Sequence, residues 1–149
     1  KSTLPLIRGL NLKQNMVQIQ IKPDKEKAKY LVEMAELTQE RLNLFNKKTF
    51  ASNTLTDYYD ILHKLMEAIT CLDGIKFKGE SAHYQLTKYI CKEYNLSQKS
   101  SFLQELRIIR NKVCYEGLQI DKEYLNTYTQ QKIERIISYL KEIIKQKLK

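Results

Sequence analysis

Near its end the chain carries Ile133, Ile136, Ile137, Leu140, Ile143, Ile144 and Leu148, with Glu, Arg, Ser, Tyr, Lys and Gln filling the gaps. Apolar residues at i, i+3, i+4 and i+7 make one stripe on an α-helix, because 3.6 residues complete a turn. Such a helix is marginal alone in water and persists by burying its stripe against others. A chain with several stripes of this kind is therefore expected to fold as an all-α domain, an up-and-down bundle of four to five helices.

The same period recurs upstream. Pro23, with Asp24 and Glu26 behind it, has the fixed φ and early negative charge of a helix start, and Tyr30, Leu31, Met34, Leu37, Leu42 and Phe45 carry the stripe to about Asn46. A second helix is expected from near Thr54 to Asp57, bearing Tyr58, Ile61, Leu62, Leu65, Ile69 and Leu72 up to a stop at Asp73-Gly74. Ile75 to Gly79 reads as a short connector. Glu80 and Ser81 then cap a third helix with Tyr84, Leu86, Tyr89 and Ile90, ending at Asn95. Ser97 and Ser100 open a fourth, with Phe102, Leu103, Leu106, Ile109 and Val113, closed by Gly117; the last helix is expected from near Asp121.

Residues 1–22 break the pattern. Met16, Val17, Ile19 and Ile21 alternate with Gln18, Gln20 and Lys22, the period of a short strand or extended arm that pairs across a dimer or lies along the bundle. The expected organisation is an N-terminal arm over 1–22 and a helical bundle over 23–149.

Composition excludes several classes. The 149 residues suit one domain, and 42% apolar against 29% charged residues, with few Gly and Pro, is far from a disordered composition. No run approaches the roughly 20 apolar residues of a membrane span, and no signal-peptide core is visible, so a cytoplasmic location without membrane contact is expected. Cys71, Cys91 and Cys114 are odd in number and widely spaced, which suits reduced core residues rather than disulfides or a zinc ribbon. His63 and His83 are the only histidines and have no ladder of ligands beside them, so neither metal nor cofactor is expected. The net charge of +9 favours phosphate backbones or acidic partners, or simply a solvated surface.

One residue violates its stripe. On the wheel of the fourth helix Arg110 falls between Leu106 and Leu103, inside the apolar arc. A guanidinium keeps its charge at ordinary pH, so a buried one needs an acid, solvent or a bound anion. Glu67 and Glu105 are the candidate acids on the first account; a phosphate is the ligand on the other. Asn111 and Tyr115, four apart, share a face, but Tyr115 lies about 140° from Arg110 unless the helix unwinds near Gly117.

The segment Arg110-Asn111-Lys112-Val113-Cys114-Tyr115-Glu116-Gly117, at the end of a bundle helix, resembles the signature of the HEPN superfamily, named for higher eukaryotes and prokaryotes nucleotide-binding. That signature is an Arg, commonly followed by Asn or another polar residue, then a His after four to six intervening residues. Tyr115 stands where the His belongs. Asp57-Tyr58-Tyr59 through Gly74-Ile75-Lys76-Phe77-Lys78 to His83 and Tyr89 is similar to the second and third helices of such proteins, so the resemblance spans roughly Leu55 to Leu118. It implies a domain that binds nucleotide, RNA or a partner protein such as a nucleotidyltransferase, or a dimeric metal-independent endoribonuclease, in either case as a homodimer. Carried over, Arg110 holds a phosphate through paired N–H donors and Asn111 orients that phosphate or the neighbouring side chain. Tyr115 supplies only a phenol, which ordinarily titrates near 10 and is a poor base at neutral pH, and this favours binding over efficient catalysis.

Overall fold

A computed structural model describes residues 16–149 of the chain; residues 1–15 of the arm expected over 1–22 lie outside them. The described residues form an all-α bundle of five helices with one small two-stranded sheet, in the order β1 (Met16–Gln20), α1 (Lys25–Leu42), α2 (Ala51–Asp73), β2 (Ile75–Gly79), α3 (Ala82–Glu93), α4 (Ser100–Glu116) and α5 (Thr127–Lys147). Short 3₁₀ turns at Ser97–Lys99 and Lys122–Leu125 lead into α4 and α5.

Helix α2 is the axis of the domain. It is the most apolar helix, and Leu55, Ile61, Leu62, Leu65, Met66 and Ile69 are all sealed from solvent. All four other helices pack on it. Each such side chain contributes about 1.5–3 kcal/mol through burial. On α5 the expected stripe goes inward, with Ile133, Ile136, Ile137, Leu140 and Ile144 buried.

On α1 the buried row is Ala28, Leu31, Ala35 and Leu42, whereas Tyr30, Leu37 and Phe45 are exposed. Small alanines on the inner face let α1 approach α2 closely and displace the larger residues that the spacing marked as core. Helix α1 stops at Leu42, short of Asn46, and α2 begins at Ala51, before Thr54. The side chain of Asn46 caps the intervening turn by accepting from the Lys48 and Thr49 N–H groups.

The segment expected as a connector is strand β2. It pairs antiparallel with β1, Val17 opposite Lys78 and Ile19 opposite Lys76, so the described part of the arm closes on its own chain. Gly74 makes this possible at a φ of +77°, where a side chain would also meet the Ile21 carbonyl oxygen at 2.9 Å. Gly117 ends α4 as expected, at a φ of +72°. Helix α5 starts at Thr127 with Asn126 as its cap, later than Asp121, which instead caps the preceding 3₁₀ turn. Among the described residues no helix is long and apolar enough to cross a membrane.

Candidate functional site

Three side chains at four-residue steps on α2, Tyr59, His63 and Glu67, form one line along that helix. Helix α3 lays His83 against the line and α4 brings Arg110. The His63 and His83 rings stack with centroids 4.0 Å apart, and both stand nearly parallel to Tyr59, at 6.0 and 6.2 Å. The Tyr59 hydroxyl is 3.1 Å from His83 Nδ1. The Arg110 guanidinium carbon sits 5.4 Å from the centre of the Tyr59 ring, a cation–π placement.

Arg110 is the half-buried cation expected from the wheel, with only 20% of its side chain exposed. Its acid is Asp60 rather than Glu67 or Glu105. The Nη2–Oδ1 distance is 3.4 Å, and Nη1 donates to Asn111 Oδ1 over the same distance. Both are long for charge-assisted bonds, which run about 2.7–2.9 Å. The third donor group, Nε–H, is buried and has no hydrogen-bond partner among the described residues. Glu67 faces His63 Nε2 at 3.3 Å, and Glu105 accepts from the Tyr124 hydroxyl at 2.6 Å. The acids nearest Arg110 in the helical pattern are thus committed elsewhere.

A second guanidinium lies one turn back. Arg107 donates from Nε to Gln104 Oε1 at 2.9 Å and covers the Tyr84 ring at 5.7 Å. Burial, Arg110 and Arg107, in that order, hold the His83 imidazole below its ordinary value, with Asp60 opposing them. His63 is pulled down to about 3 by burial, then by His83, Lys64 and Arg110. Its approach to Glu67 is therefore made by a neutral ring, not as an ion pair. Burial raises the Tyr59 phenol to about 12 despite the two arginines. At neutral pH two uncharged imidazoles and a protonated phenol stand beside two guanidinium groups and the Asp60 and Glu67 carboxyls.

Of the residues expected from the sequence, Arg110 and Asn111 meet. Tyr115 does not join them: α4 stays helical through Glu116, and the Tyr115 side chain is 78% exposed. Neither His63 nor His83 is among the site residues expected from the sequence. The four-residue spacing of Tyr59, His63 and Glu67 is the signal for the former; nothing local to His83 announces the stack. Among the described residues no three His, Cys, Asp or Glu side chains gather as metal ligands. Cys71 and Cys91 are buried, but Cys114, expected in the core, is exposed because it lies on the outer face of α4.

Compared with protein-family models, curated proteins and solved structures, the chain matches none.

Proposed function

We propose that this chain is a HEPN-like helical domain that binds a phosphate-bearing ligand, nucleotide or RNA, at Arg110, and that catalysis there is inefficient or absent. The observation that carries the reading is the state of the guanidinium. It is mostly buried, holds its single acid at 3.4 Å, and keeps one buried N–H without a partner. Buried donors are nearly always satisfied, and a phosphate oxygen is a fitting acceptor for this one. Arg107 and the overall charge of +9 add attraction for the same anion. In this reading Asn111 holds the guanidinium in orientation through its Oδ1 contact.

The exposed Tyr115, with Ile108 and Leu118 exposed on the same helix and its end, supports assembly as a homodimer or with a protein partner such as a nucleotidyltransferase. Within one subunit the phenol is not at the phosphate site, which weighs against efficient cleavage by Arg110, Asn111 and Tyr115 together. A second reading, a metal-independent endoribonuclease, is favoured by one observation. The His83 imidazole, 3.1 Å from the Tyr59 hydroxyl and held uncharged by burial, Arg110 and Arg107, has a ring nitrogen that can accept a proton, as a protonated phenol cannot.

Fluorescence anisotropy with a labelled single-stranded RNA tests the binding reading. Arg110→Ala should weaken binding about tenfold or more, the size expected for a hydrogen bond to a charged group, and wild-type affinity should fall steeply with added salt. Salt-insensitive binding, or equal binding by the variant, would remove the phosphate reading. RNA incubated in EDTA separates the second reading: cleavage lost in His83→Ala and kept in Tyr115→Phe would establish it.

A further inference from the structure

Behind the histidine stack lies a cavity of about 310 Å³, walled by α1, α2, strand β2 and the start of α3. His63 and His83 line it, and the Arg110 charge that acts on both rings does not. Three lysines line it, Lys27 from α1 and Lys76 and Lys78 from β2, and no salt bridge joins any of them to an acid among the described residues. Leu31, Phe77 and Leu86 supply apolar wall. Thr70, Cys71, His83 and the His63–Glu67 pair supply the rest of the polar lining. With the His63 proton on Nε2 toward Glu67, Nδ1 is left as a buried acceptor, and it has no partner among the described residues.

We infer that this cavity is a binding site, separate from Arg110, for a phosphomonoester of metabolite size that also carries a hydroxyl or amino donor. The charge balance selects the head group. Three ammonium groups against one carboxylate leave an excess of two positive charges, which a phosphate dianion neutralises and a single carboxylate does not. Burial raises the Glu67 carboxyl, and Lys27, Lys64 and Lys76 oppose it, so two of the cavity's lysines act on its one acid. His63 Nδ1, an acceptor without a donor, selects the second feature. Size sets the limit: about 310 Å³ is at the bottom of the range of small-molecule sites, enough for a sugar phosphate or nucleoside monophosphate and too small for an oligonucleotide. Lining the cavity with two histidines also places the ligand one ring away from Tyr59 and Arg110.

Calorimetric titration of the whole chain with adenosine monophosphate, glucose 6-phosphate and inorganic phosphate tests this. One of the esters should saturate a site that does not depend on Arg110 at least tenfold more tightly than inorganic phosphate, and which ester does so tells a nucleotide from a sugar phosphate. The combined Lys27→Gln, Lys76→Gln, Lys78→Gln variant, altered only at exposed lysines, should lose at least tenfold in affinity, and Arg110→Ala should bind the ester as wild type does. Proton NMR gives a second readout, because the chain has only two histidines: the ester should shift both imidazole signals. No saturation by any probe below ~10 mM, an ester no tighter than phosphate, or affinity kept by the lysine variant overturns the proposal. Ester binding abolished by Arg110→Ala overturns it too, while supporting the phosphate site at Arg110. Loss of RNA binding and retention of ester binding by that same variant supports both.

Discussion

His63 and His83 stack at 4.0 Å with neither ring able to take a proton at low cost, since both are buried and both lie near the Arg110 guanidinium. Both folded-state values lie below the ordinary imidazole value, so the unfolded chain binds protons that the native chain refuses. Stability is therefore unaffected by the pair above about pH 6.5 and falls as the pH drops below it. With His63 held at about 3, its share of the loss between pH 7 and pH 5 is about 2 kcal/mol. Glu67, whose carboxyl is raised, acts with the opposite sign as pH rises above the ordinary carboxylate value. Thermal unfolding across this range should show the wild type losing stability that His63→Phe, which keeps a ring in the stack, retains. Parallel pH profiles for the two proteins would contradict the assignment.

Asp60 competes with any anion for Arg110. Replacing it by Asn removes the charge, keeps the shape and should tighten RNA binding about fivefold, the effect of roughly 1 kcal/mol from a partly exposed carboxylate. Weaker binding by the variant in the anisotropy titration would mean that Asp60 positions the guanidinium instead.

The Tyr59 hydroxyl lies 3.1 Å from His83 Nδ1, on a residue only 2% exposed. Tyr59→Phe should cost about 1 kcal/mol in urea unfolding, the ordinary value of a hydrogen bond, with the ring packing kept. A much larger loss would show that the hydroxyl holds α3 onto α2.

Two glycines at nearly the same φ separate conformational strain from steric clash. Gly117→Ala meets nothing within 4 Å and should cost only the left-handed backbone penalty of about 1 kcal/mol. Gly74→Ala adds contact with the Ile21 carbonyl at 2.9 Å and should cost clearly more. Equal melting temperatures for the two variants would show that the junction between α2 and β2 yields.

The helices were legible because their cause is local: a 3.6-residue stripe on α5 and glycine stops at Gly74 and Gly117 follow from neighbouring residues. The inner row of α1 was misread because alanines bury as well as leucines where helices approach closely, and residue size alone points to Tyr30 and Leu37. The 75–79 strand escaped because its partner is more than fifty residues away, and pairing rather than propensity makes it a strand. Arg110 stood out on the wheel since a charge in an apolar arc needs no partner to be conspicuous. Its true acid did not, because Asp60 is joined to it only by the packing of α4 on α2. The histidine stack was illegible for the same reason: α2 and α3 each contribute one ring.

Tyr59, His63 and Glu67 occupy successive turns of one helix, Tyr59 under the guanidinium and Glu67 on the cavity wall. His63 is the hinge between them, since it lines the cavity and also stacks on Tyr59. A change of bulk or charge at that one position is felt in both places, so the two cannot drift in chemistry independently of each other.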